Sequence, residues 1–69
     1  MRRGTLKKSE LIKTIGWDNN VMEVEYRADN TVFRYNNVPL SVFRAIVRSK
    51  SPGQYWLKIR DKFEHQEVT

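Results

Sequence analysis

Hydrophobic and polar residues alternate along two stretches on either side of Asp29-Asn30. Met22, Val24 and Tyr26 interleave with Glu23 and Glu25, and Phe33 and Tyr35 flank Arg34. Alternation of period two separates a strand into two faces, and an Asp-Asn pair tolerates the positive φ of a tight two-residue turn, so these residues predict a β-hairpin. Such a turn sets Tyr26 opposite Phe33, Val24 opposite Tyr35 and Glu25 opposite Arg34, with the aromatic face on the core and the other face wet. Upstream, Leu11, Ile15 and Trp17 fall on one alternating face with Lys13 among them. That pattern predicts a further strand over residues 9–17, while Ser9-Glu10 can also open a short helical turn.

Beyond the hairpin the period changes. Val38-Pro39 ends the strand, because proline donates nothing to a ladder, and its fixed φ suits the first turn of a helix. Across residues 40–48, Val42, Phe43, Ile46 and Val47 form a stripe at helical spacing opposite Ser41, Arg44 and Arg48, as expected of a helix lying on a sheet. Ser51-Pro52-Gly53-Gln54 then offers an N-cap serine, a proline at the first helical position and a glutamine placed to close a capping box. In this second helix Trp56, Ile59 and Phe63 recur at three and four residues, and Gln54, Lys58, Asp61 and Lys62 lie towards water. The expected fold is α+β: a small antiparallel three-stranded sheet, or a two-stranded hairpin plus an extended N-terminal segment, covered on one face by two C-terminal helices. Residues 1–8 read as a flexible basic arm, residues 9–64 as a single domain and residues 65–69 as a frayed tail.

Composition narrows the class. The 69 residues are 39% hydrophobic and 12% aromatic, enough apolar material for one core and one domain. With no cysteine, neither disulfides nor thiolate zinc sites can brace it, and no apolar run resembles a secretory signal or a membrane span. A cytoplasmic monomer or weak homodimer is the expectation. Thirteen Lys and Arg against eight Asp and Glu give a formal net charge of +5, which serves solubility and also concentrates polyanions.

Material for catalysis is sparse. His65 is the only histidine and lies in the expected tail, so no general base oriented by a buried partner is expected, and no nucleophile–base pair suggests a hydrolase or transferase. Glu23, Glu25, Asp61, Glu64 and Glu67 show no metal-ligand spacing. Gly4, Gly16 and Gly53 stand alone, which leaves no phosphate-binding glycine loop. The expectation is a non-catalytic binding module with no metal and no cofactor.

Tyr26, Phe33 and Tyr35 superficially resemble base-stacking residues of RNA-binding sheets. They share a face with Met22 and Val24, however, and form the natural platform for Phe43, Val47 and Trp56, so a core role is expected. The opposite face, carrying Glu23 and Glu25, would repel phosphate. A nucleic-acid contact is therefore expected from Arg2, Arg3, Lys7 and Lys8 of the arm and from Arg44, Arg48, Lys50, Lys58 and Arg60 of the helical region. Arg60 can alternatively tie its helix down through a carboxylate such as Asp18. Ser51 and Gly53 can either cap the second helix or present free N–H groups to an anion.

Several of these segments together resemble the KTSC family, a domain named after the C-terminal segment of some lysyl-tRNA synthetases and also found as a free-standing bacterial protein. The resemblance runs from about residue 9 to residue 63. It is carried by Ile15-Gly16-Trp17-Asp18, by Phe33-Arg34-Tyr35 in place of a central Tyr-x-Tyr, by Val38-Pro39 and Phe43, by Ser51-Pro52-Gly53-Gln54-Tyr55-Trp56, and by Ile59-Arg60-Asp61-Lys62-Phe63. Departures are Phe33 and Phe63 for tyrosines, Asp29-Asn30 near a usual turn glycine, and Leu57 where the family has an asparagine and one further residue. The resemblance implies RNA binding, by analogy with the attachment to synthetases. The competing expectation is a protein-interaction module anchored by Tyr55, an exposed part of Trp17 or the hairpin edge.

Overall fold

The structure, a computed structural model, describes residues 2–68. Five strands form one antiparallel sheet in chain order: β1 Gly4–Thr5, β2 Ile12–Asp18, β3 Val21–Tyr26, β4 Val32–Tyr35 and β5 His65–Glu67. Between β4 and β5 lie α1 Leu40–Arg48, α2 Pro52–Ile59 and a 3-10 turn Arg60–Lys62. The expected α+β architecture is present, with two strands more than the three expected.

Strands β2 and β3 meet at Asn19-Asn20, whose φ angles of 51° and 66° are those of the two-residue turn that matches strand twist. The next hairpin departs from expectation. Tyr26 N–H donates to the Thr31 carbonyl at 2.8 Å and Asn30 N–H to the Tyr26 carbonyl at 2.9 Å, so residues 27–30 form a four-residue loop. Asn30 has the positive φ, 59°, and Asp29 Oδ1 accepts from both the N–H and the hydroxyl of Thr31. The register slides by two: Val24 faces Phe33, Met22 faces Tyr35, Glu23 faces Arg34 and Glu25 faces Val32. A slide of two preserves the faces, so Tyr26 and Phe33 become diagonal neighbours in edge-to-face contact at 5.9 Å.

The chain ends are likewise built into the sheet. Gly4 and Thr5 pair with Ile15 and Thr14, Leu6 is buried in the core, and Leu6 N–H donates to the Lys13 carbonyl at 3.0 Å. The expected free arm is, over residues 2–8, an edge strand and its turn, because Leu6 has a core to join. A side-chain Cβ at Gly16 would lie 2.6 Å from the Arg2 carbonyl oxygen, so the glycine lets this segment cross β2. The expected frayed tail is β5 over residues 65–67, paired with β4 and extended by a 2.8 Å bond from Val68 N–H to the Val32 carbonyl. Met1 and Thr69, the outermost residues of the expected arm and tail, lie outside the described residues.

A bulge between Ile12 and Thr14 interrupts the alternation of β2. It turns Lys13 off the core and brings Ile12 in, fully buried, where Leu11 was expected and is only partly covered. Ile12, Ile15, Met22, Val24, Tyr26 and Tyr35 then meet Ile46 and Trp56 from the helices, with Leu6 and Val38 completing the core. At its centre Trp56 Nε1–H donates to Tyr26 Oη at 3.0 Å, and the Tyr26 and Tyr35 hydroxyls lie 2.6 Å apart. Burial first, and the hydrogen bond to Tyr26 next, push the Tyr35 phenol well above the usual tyrosine range. Each polar atom of this cluster has a partner, which offsets its desolvation.

The outer sheet face is not the bare acidic surface expected. Glu23 is 6% exposed, accepting at 2.7 Å from Arg3 Nη1 and at 2.8 Å from Arg34 Nη2. Arg3 Nε also donates to Thr14 Oγ1, whose hydroxyl donates to Glu25. Burial raises the Glu23 pKa, but hydrogen bonds from Arg34 and Arg3 outweigh it and hold the carboxyl below its usual range.

Candidate functional site

The nine cations expected to meet a ligand do not form one patch. Lys8 and Lys50, far apart in sequence, line one cleft of about 360 Å³ together with the start of α2. The local fold explains the approach. Ser9 Oγ accepts from the N–H groups of Leu11 at 3.2 Å and Ile12 at 2.9 Å, fixing the turn that carries Lys8. That turn packs on buried Gly53, where an added Cβ would stand 3.0 Å from Leu11 Cβ and 3.1 Å from Ser9 Oγ. Glycine thus admits Lys8 to the helix end.

The expected capping box at that end is not formed. Ser51 makes no side-chain cap bond, and its own N–H is taken by Ser49 Oγ at 3.1 Å. Pro52 occupies the first helical position, where its missing N–H costs nothing. The first turn of α2 therefore lines the cleft without a side-chain cap, at the positive end of the helix dipole. Glu10, Gln54 and Leu57 complete the lining, so one carboxylate stands in the cleft beside the two lysines.

Arg44 and Arg48 follow one another by one turn of α1 and line a second shallow recess with Leu40, Ser41 and Ala45. Arg2 and Arg3 border a third, with Trp17, Phe43 and Val47 among its walls, but Arg3 is committed to Glu23. Lys7 and Lys58 are exposed and line none of these recesses. Arg60 is not tied to Asp18: its guanidinium lies over the Tyr26 ring, 5.9 Å from the centroid. It borders a further recess with Phe33, Tyr35 and His65, a grouping that sequence reasoning missed because His65 lies in the all-polar β5. Among the other expected anchors, Tyr55 is 37% exposed, and Trp17 is half-buried with its indole N–H donated to the Val38 carbonyl at 2.8 Å.

Among the described residues no group of three or more His, Asp or Glu could hold a metal ion, and no helix is long and apolar enough to cross a membrane. The KTSC domain family matches residues 8–63. The chain belongs to the KTSC family. A comparison with curated proteins finds no significant match. Among solved structures, the crystal structure of the KTSC domain protein YPO2434 from Yersinia pestis is similar with a TM-score of 0.89 at 24% identity, over 99% of this chain and 97% of that one. That likeness is one of fold. It spans more of the chain than the family match does.

Proposed function

We propose that this KTSC domain is a non-catalytic module that binds RNA through its backbone phosphates, with Lys8, Lys50 and the open end of α2 as the central contact and Arg44 and Arg48 as the flanking one. The observation that carries this reading is that two lysines distant in sequence line one cleft at a helix terminus with no side-chain cap. Neither lysine, nor Arg44 or Arg48, has an ion-pair partner among the described residues. Amides and lysines together suit a phosphate oxygen, and Arg44 and Arg48 on the preceding helix offer a second, separate recess.

Fluorescence titration of labelled single-stranded RNA, single-stranded DNA and duplex DNA at several salt concentrations tests it. Binding should weaken steeply with salt, with log K falling by about 0.7 per phosphate neutralised for each tenfold rise in salt on a single strand. A chain with Lys8, Lys50, Arg44 and Arg48 all changed to alanine should lose most of that slope. Absence of polyanion binding, or binding insensitive to salt, would overturn the reading in favour of a protein partner.

A further inference from the structure

The recess beside Arg60 has a chemistry different from the lysine cleft. Its volume is about 380 Å³, within the roughly 300–1,000 Å³ usual for small-molecule sites. One wall is aromatic. Phe33, half-buried, stacks on Tyr35 at 6.3 Å and 30°, and the His65 ring lies 5.7 Å from Phe33 and 5.3 Å from Tyr35. Arg60 stands over Tyr26 and has no ion-pair partner among the described residues. The Phe63 carbonyl can only accept, so His65 Nδ1–H donates to it at 3.2 Å. In the neutral ring this leaves Nε2 as an acceptor.

Elimination narrows the occupant. A phosphate would gain nothing from the aromatic wall and would meet Asp29 and Asp61 at the rim. A plain hydrocarbon ring would desolvate Arg60 and His65 without satisfying them. A flat, uncharged heteroaromatic ring with donors and acceptors along one edge suits both features: its face stacks on the wall, its acceptor meets the guanidinium and its N–H meets Nε2. We propose that this recess takes a single unstacked nucleobase. The proposal rests on the RNA reading only for the source of that base, supplied by a strand whose phosphates lie on the basic surface. Tyr26 and Tyr35 keep the core role expected of them, while Phe33 serves both core and recess.

The test separates the two readings. NMR titration of the full chain with the neutral nucleosides uridine and guanosine should shift Phe33 and His65 resonances, and ribose 5-phosphate, which lacks a base, should not. In oligonucleotide binding, Phe33→Leu and Arg60→Gln should each lower affinity by about tenfold, within the range for one stacked base, with the salt slope unchanged. The Trp56 indole resonance reports that each variant is folded. Salt-dependent RNA binding with no nucleoside shift and unchanged variant affinities would overturn the base site and leave the phosphate reading standing. Shifts equal for ribose 5-phosphate and nucleosides would also overturn it.

Discussion

Changing Glu23 to glutamine removes the one charged side chain that is buried among the described residues while keeping its shape. The carboxylate binds Arg3 through one oxygen and Arg34 through the other, so the amide must turn an NH2 towards one of two guanidinium donors. Removing one partner from a buried pair costs about 3–5 kcal/mol when the survivor is stranded, and hydrogen bonds to charged groups are worth about 1.5–3 kcal/mol. Here the arginine side chains are 30% and 43% exposed and recover water, which places the loss near the lower range, about 2 kcal/mol. For a domain this small, that lowers the melting temperature by roughly 8–16 °C.

The pH dependence of the same variant is a sharper test. In the unfolded chain Glu23 titrates near the ordinary glutamate value of 4.5, and in the folded chain below it. A depressed folded pKa gives stability that is complete above the unfolded value and is lost as pH falls through the folded one. Urea unfolding across a pH series should therefore show a constant gap between wild type and Glu23→Gln near neutrality, closing progressively below pH 4.5. A gap that persists undiminished in acid would mean that shape, not charge, holds the arginines. No gap at neutral pH would refute the ion pairs as a brace for β1.

Gly53→Ala should destabilise the fold by about 1 kcal/mol, because a Cβ 3.0 Å from Leu11 Cβ outweighs the gain in helix propensity, and it should reduce the salt slope of RNA binding by moving Lys8; unchanged melting and binding would sink the close-approach argument. Arg27→Lys should cost about 1 kcal/mol in urea unfolding, since the Arg27 fork donates to the carbonyls of Leu6, Ser9 and Ile12 and a lysine cannot reach all three; a silent substitution would show the clamp to be idle. Tyr35, its folded pKa raised from 10.0, should contribute stability that is complete below pH 10 and lost as pH rises through the folded value. Tyrosinate absorbance of the native chain should then lag behind that of the urea-unfolded chain, and coincident titrations would argue against the buried hydroxyl pair.

What could be read from the sequence was decided by periodicity. The faces of β3 and β4 were legible because alternation survives any even shift, whereas the register depended on whether the loop held two residues or four, and Asp29-Asn30 permits both. Asn19-Asn20 makes the tight turn between β2 and β3, but Asn-Asn lacks the glycine that most strongly marks such a turn. Helix α1 was legible in full from Val42, Phe43, Ile46 and Val47. The edge strands were not: Gly4–Thr5 is too short to alternate, and β5 is exposed along its length, so no burial pattern marks it. The bulge beside Lys13 hid Ile12 by shifting the alternation of β2. Of the candidate site, the cations were visible as residue types, but the meeting of Lys8 with Lys50 depends on Gly53 and the Ser9 turn, which only the packing of α2 against the β1–β2 connection brings together.

The cations divide by chemistry as well as by place. Three of the arginines are spent on the fold: Arg3 and Arg34 neutralise Glu23 and Arg27 gathers three carbonyls, while Arg60 covers Tyr26 beside the aromatic recess. Each task uses the planar fork or the flat face of a guanidinium, which an ammonium lacks. Lysine is the type left over. Lys7, Lys8, Lys50, Lys58 and Lys62 are exposed and, with Arg2, Arg44 and Arg48, have no ion-pair partner among the described residues. A formal charge of +5 therefore describes two populations, one holding strands together and one facing solvent. Only the second can release counterions when a polyanion binds, so neutralising it should change affinity without unfolding the sheet, while neutralising the first should do the reverse.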